Sequence, residues 1–221
     1  MRTIWRTLDR AELRDIAVVC LGVGIIGLSY GSTAVASGLP VWAPMLLAVL
    51  VIAGASELLF VGILAAGGSP VAAVLAGLLV NTRHIPYGLG LPDVLGRGWR
   101  RLLGTHLLND ESTVFALSHS ADHARSRAAY WASGLGILLS WPLGAGLGAL
   151  LGTVVHDTDA FGLDAMLPAV LLALVLPALR QRDKRRAALT GAALALATVP
   201  VLPAGMPELL ALAGLATLVR R

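Results

Sequence analysis

The chain has 221 residues, 57% of them hydrophobic and 14% charged, with a formal net charge of +4. A soluble domain normally carries about 25% charged residues to coat itself for water, so this composition excludes most soluble folds and fits a bundle of membrane helices. The positive charge is no nucleic-acid footprint, because the basic residues fall at the chain ends and between apolar blocks, as topology signals do, and aromatics are only 5%.

The opening segment, MRTIWRTLDRAELRD, is polar and carries Arg2, Arg6, Arg10 and Arg14. The apolar run behind it lacks an A-x-A-like cleavage site, which predicts a retained first helix rather than a signal peptide. Residues 1–15 therefore read as a cytoplasmic segment and 16–221 as one transmembrane domain.

Apolar blocks follow at 16–36, 41–66, 71–91, 102–117, 128–155, 162–179, 187–202 and 206–219. A helix needs roughly 20 residues to cross about 30 Å of hydrocarbon. The second and fifth blocks exceed that need, the fourth is weak and the last two are short. The lone Cys20 lies inside the first block and reads as a small packing residue.

Orientation follows from arginine and lysine. The N-terminal arginines, the run RQRDKRR (residues 180–186) and the terminal Arg220 and Arg221 place both termini in the cytoplasm. The acidic loop VHDTDAFG (155–162) has no Arg or Lys and suits the outside. A plain crossing by the third block would put Arg97, Arg100 and Arg101 on the wrong side. Broken or re-entrant segments around residues 70–120 keep that cluster inside. Pro86, Gly88, Gly90 and Pro92 supply residues that weaken a helix there.

In the fifth block, Gly144, Gly148 and Gly152 are spaced four apart, which lets two helices approach closely. Either ordinary internal packing or docking of a second subunit uses such a stripe. Trp141-Pro142, just before it, marks a site for a kink.

Ionisable residues interrupt three blocks. Glu57, next to Ser56, lies 16 residues beyond Val41, roughly 24 Å along a helix. Asn81 lies 10 residues beyond Val71, roughly 15 Å, with Arg83 and His84 half a turn on. Asn109, Asp110 and Glu111 fall in the fourth block, a turn after Thr105 and His106. A charge near the bilayer centre costs at least about 2.5 to 3.5 kcal/mol on insertion scales. Convergence is the economical arrangement: Arg83 pairs with carboxylates from the second and fourth blocks around a polar cavity.

Such a site suits a zwitterion, with Arg83 holding a carboxylate bidentately and Glu57 or Asp110 facing an ammonium. A desolvated Glu57 is also a candidate for holding a coupling proton. The competing readings are a carrier of another small amino acid or organic solute, and a non-transporting scaffold whose polar groups only lock the bundle.

His106 and Asp110, and His119 and His123, are each four apart, a spacing that places ligands on one helix face. The region has no cysteine and the second pair sits beside Arg125, so neither metal nor cofactor is expected. No G-x-S-x-G, H-E-x-x-H or P-loop motif occurs, and no catalytic residue is assigned.

The stretch AGASELLFVGILAAGGSPVAAVLAGLLVNTRHIPYG (Ala53 to Gly88) and LLNDESTVFAL after it resemble the AzlC-type family of branched-chain amino-acid permeases. The likeness lies in the family's A-G-A-S-Q, N-x-R-H-x-x-Y and L-T-D-E patterns, in that order. It continues weakly through the Trp141 region and FGLDAMLPAVLLALVLPAL.

The resemblance implies a bacterial cytoplasmic-membrane permease that exports branched-chain amino acids, or methionine in some members, with a small AzlD-type membrane subunit. The matching positions are Ser56, Asn81, Arg83, His84, Tyr87, Asp110 and Glu111. Glu57 stands where the family usually has Gln, and Asn109 where it usually has Thr. The expected fold is thus all-α and polytopic, with Ser56, Glu57, Asn81, Arg83, His84, Tyr87, Asp110 and Glu111 as substrate-binding or translocation residues.

Overall fold

The computed structural model describes residues 7–154, 172, 176, 179–202 and 206–219. The acidic loop at 155–162, most of the sixth apolar block and the terminal arginines lie outside the described residues. Among the described residues all regular structure is helical. The chain divides into two compact units, one of Met1–Gly54 and Asn81–His156, the other of Ala55–Val80 and Asp157–Arg221.

Two long helices frame the first unit. Helix α1 (Arg10–Ala36) starts on a capping box, in which Asp9 Oδ1 accepts from the Glu12 N–H and Glu12 Oε2 accepts from the Asp9 N–H. It stops where Gly38, at φ +89°, lets the N–H groups of Gly38 and Leu39 reach back to the carbonyls of Val35 and Ala34. Helix α8 (His123–Val154) runs through Pro142 without ending. Both are long and apolar enough to cross a bilayer.

These helices lie parallel. Glu12 meets Arg125 at their starts, Gly27 lies against Trp141 and Gly144, and Ser32 against Gly152. The glycine stripe of the fifth block is thus spent on internal packing. A Cβ on Gly144 would sit 2.1 Å from the Gly24 carbonyl oxygen, and one on Gly148 2.0 Å from that of Leu28. Tyr30 and Trp141 stack in the same seam at 5.1 Å.

Between these helices and the rest of the unit the chain repeatedly breaks. Helix α2 (Trp42–Leu50) and helix α3 (Gly54–Ala65) divide the second apolar block, which length alone reads as one crossing. The break holds Ile52 at φ +48° and 1% exposure. A buried β-branched residue in left-handed backbone is strained and persists only where its surroundings enforce it. Helix α4 (Pro70–Asn81) and helix α5 (His84–Gly90) divide the third block at Thr82 and Arg83. The break comes ahead of Pro86, which sits in the first turn of α5, where its missing N–H has no helical partner to lose.

Helix α6 (Trp99–His106) and helix α7 (Asp110–Ser118) form a hairpin that enters and returns. Tyr130 Oη donates to the Gly104 carbonyl at 2.6 Å, and Leu107 packs against Gly134 further along α8. The way back reaches Ser126, whose hydroxyl donates to the Ala116 carbonyl at 2.8 Å, and then His119 beside Glu12. Gly134 is 11 residues into α8, roughly 16 Å of rise and half of a hydrocarbon layer about 30 Å thick.

The tip is dry, with Leu107, Leu108 and Asn109 at 0%, 7% and 3% exposure. Leu91, Val94, Leu95, Ala116 and Tyr130 complete the core around it. Trp131 Nε1 donates to the Val94 carbonyl at 3.1 Å, satisfying a loop oxygen at depth. The hairpin begins and ends near the starts of α1 and α8, so Arg97, Arg100 and Arg101 share an end of the unit with Arg10, Arg14, Arg125 and Arg127. Such a hairpin fits the broken or re-entrant course expected around residues 70–120.

In the second unit, α3 and α4 form an antiparallel hairpin with Ile63, Ala73 and Ala76 buried between them. Gly67, at φ +78°, ends α3 and Ser69 Oγ caps α4. The last blocks form helix α9 (Arg182–Thr198), helix α10 (Met206–Ala211), a 3-10 turn (Leu212–Leu215) and helix α11 (Ala216–Val219). Gly191 and Gly214 allow backbone contact there. Helix α9 starts at Arg182, within the cationic run rather than after it.

Candidate functional site

The hairpin tip carries the charges. Asn109 is the N-cap of α7: its Oδ1 accepts from the Ser112 N–H at 2.8 Å, and Ser112 Oγ accepts from the Asn109 N–H at 3.1 Å. This box fixes the next residue, Asp110, in the first turn, where the helix N-terminus favours negative charge.

Arg83, in the break between α4 and α5, meets that carboxylate with a two-pronged grip. Its Nε donates to Asp110 Oδ1 at 3.0 Å and its Nη2 to Oδ2 at 2.6 Å. Tyr87, one turn along α5, donates its hydroxyl to Oδ1 at 3.0 Å. The Arg83 side chain is 23% exposed and that of Asp110 44%, so the pair is sheltered on the arginine side and open on the carboxylate side.

The remaining residues arrange themselves around this pair. His84 Nδ1–H donates to the Asn81 carbonyl at 3.1 Å, and its ring stands edge-on to Tyr87 at 5.8 Å. The other ring nitrogen, Nε2, is buried without a hydrogen-bond partner among the described residues. Glu111 lies about 100° further round α7, on the α1 side and within electrostatic range of Cys20. Ser56 and Glu57 belong to the second unit, each 3% exposed in the first turn of α3, with Gly77 of α4 against the Ser56 carbonyl.

Sequence spacing paired His106 with Asp110, but the structure sends them apart. His106 Nε2–H donates to the Val49 carbonyl at 2.9 Å, one of the oxygens freed where α2 stops. The tip thus reaches two other breaks, through His106 to the end of α2 and through Asp110 to Arg83. His119 faces Glu12 Oε1 with Nε2 and the Phe115 carbonyl with Nδ1. Arg125 donates to Glu12 Oε1 at 2.6 Å and to Asp9 Oδ2 at 3.1 Å. Glu12 lies in the polar first turn of α1, ahead of the apolar run. Burial pushes its carboxyl up, but donation from Arg125, the Asp9 backbone and His119 outweighs this and holds its pKa at about 2.

The family described as AzlC protein matches residues 18–155, more than half of the chain and a range that contains every candidate residue above. The chain belongs to the AzlC family. Among its relatives, a protein named branched-chain amino acid transport protein AzlC, from Bacillus subtilis (strain 168), is 26% identical over 225 residues, covering 99% of this chain and 87% of that protein. An uncharacterized membrane protein from Haemophilus influenzae (strain ATCC 51907 / DSM 11121 / KW20 / Rd) is 32% identical over 139 residues, covering 61% of this chain and 56% of that protein. No solved structure matches the chain. With such relatives and two helices able to span a bilayer, this AzlC-family chain is an all-α membrane protein.

In the AzlC-family hairpin, sequence reasoning singled out Asn109 but assigned it no role at the site, and missed Thr113 altogether. Asn109 Nδ2 and Thr113 Oγ1 are buried without a hydrogen-bond partner among the described residues. Only their spacing of four hinted that they share a face of α7, and a threonine amid Val and Phe reads as packing.

Proposed function

We propose that the chain is a permease that carries branched-chain and other hydrophobic amino acids out of a bacterial cell, working with a small AzlD-type membrane subunit. The curated relative that aligns with nearly the whole chain is named for branched-chain amino acid transport. In this reading both termini are cytoplasmic, since the arginines near the starts of α1, α6 and α8 obey the positive-inside rule together.

The observation that carries the reading is the Arg83–Asp110 pair at a re-entrant tip. Ionisable residues at membrane depth mark substrate or ion paths when they face a polar interior, and broken helices are where transporters build such paths. A pair serving only as a lock gains from being sealed on both sides. Here the carboxylate stays 44% exposed, which leaves an oxygen lone pair to meet an ammonium. Asn81, His84, Tyr87 and Glu111 surround this centre in the proposal; in the second unit Ser56 is kept as a candidate translocation residue and Glu57 as the candidate to hold a coupling proton.

Reconstitution tests it. Proteoliposomes holding the chain and its partner subunit are expected to show saturable flux of labelled leucine, valine, isoleucine and methionine, and none of lysine or glutamate. Flux that ignores side-chain chemistry, or none at all, contradicts the proposal.

A further inference from the structure

Arg83 was the expected partner of a substrate carboxylate, yet two of its N–H groups are already spent on Asp110. Unused donors lie one step away. Asn109 and Thr113 are each 3% exposed, and neither Asn109 Nδ2 nor Thr113 Oγ1 has a hydrogen-bond partner among the described residues. The orientation of the Asn109 amide follows from its cap: Oδ1 accepts from the Ser112 N–H, which turns the Nδ2 donor away from that bond.

Four residues apart, Asn109 and Thr113 share one face of α7, which has nine residues. Its first backbone N–H groups add partial positive charge at the same end. A buried donor without a partner is costly, whereas an apolar residue of the same shape costs nothing. Two such donors side by side at one helix start, next to a carboxylate, point to a ligand.

The chemistry of that ligand follows from the neighbours. Asp110 is adjacent in sequence, about 100° round the helix, with its open side toward solvent. Donors and a carboxylate side by side complement an α-amino acid, whose carboxylate and ammonium sit on one carbon. Glu111 lies on the α1 side of α7, and Arg83 offsets the charge of Asp110. We propose that Asn109 Nδ2, Thr113 Oγ1 and the N-terminal end of α7 form the subsite for the carboxylate of an amino-acid zwitterion whose ammonium faces Asp110. This rests on the amino-acid permease reading and assigns the recognition of the substrate's main-chain atoms within it.

The test compares leucine with leucine amide, which replaces the carboxylate by a neutral group, in proteoliposomes containing the complete chain and its partner subunit. Wild type is expected to favour leucine by about tenfold or more in flux at low concentration, as sites built to bond a polar group reject analogues that lack it. Thr113→Val keeps size and branching but removes the hydroxyl. Asn109→Asp keeps the cap oxygen but replaces the donor with a negative charge. Both are expected to erase the preference, Thr113→Ser to restore it, and Thr113→Val to leave the thermal midpoint unlowered. A wild type with no preference, a preference kept in both variants, or a loss that Thr113→Ser does not recover overturns this subsite while leaving the permease in place. Absence of any leucine flux in wild type overturns both.

Discussion

At Glu12 three donors converge on one carboxylate, and the consequence is a pH-dependent strut between α1, α7 and α8. The ordinary value of such a group is 4.5 and the folded value about 2. A depressed carboxyl contributes stability that is fully present above the ordinary value and is lost as pH falls through the folded one. Thermal unfolding in detergent is therefore expected to lose midpoint between pH 4.5 and 2, and Glu12→Gln to lower the midpoint at pH 7 and flatten that segment. Superimposable curves for the two proteins contradict the strut. At this scale the pairing of Arg83 with a nearby carboxylate was legible in the sequence, because a charge in hydrocarbon demands a partner. The partner of Glu12 was not, since Arg125 lies 113 residues away and nothing local connects them.

Among the elements, α1 and α8 are held by backbone against backbone, and the sequence announced one half of that contact through Gly144, Gly148 and Gly152. It left open whether the stripe faces the same chain or another. The answer depended on Gly24, Gly27 and Gly31 of α1 facing it, a match of two distant segments that spacing within one helix does not reveal. Gly148→Ala places a methyl 2.0 Å from the Leu28 carbonyl oxygen, which backbone cannot yield without moving the helix. A loss of about 1–3 kcal/mol is expected. Gly22→Ala on α1 meets nothing within 4 Å, and its effect is neutral or stabilising by up to about 1 kcal/mol. Comparable losses in thermal unfolding for both variants contradict the close approach. The break at Ile52 was illegible for a physical reason: residues 41–53 are apolar apart from one proline near their start, so hydropathy sees one long span. The break at Thr82 and Arg83 was announced by its polar residues, but its place was misjudged because Pro86 and Gly88 fit inside a short new helix.

For the whole molecule, the account joins topology to chemistry. By the positive-inside rule Arg97, Arg100 and Arg101 favour the same side as the arginines at the starts of α1 and α8, and a hairpin that enters and returns suits that bias. That hairpin puts a helix N-terminus, an aspartate and two unused donors at its tip, against an arginine from another break. A broken course somewhere in residues 70–120 was foreseeable from charge bias, whereas the turn at 107–109, inside what reads as a single block, and the face it shows to Arg83 required the folded contacts. The central claim is that this pair belongs to the path an amino acid takes. Initial leucine flux through Arg83→Ala, reconstituted at the same amount as wild type, tests it most directly. The account predicts a fall of about a hundredfold, as expected for loss of a bidentate charged contact near 3 kcal/mol; flux equal to wild type contradicts it.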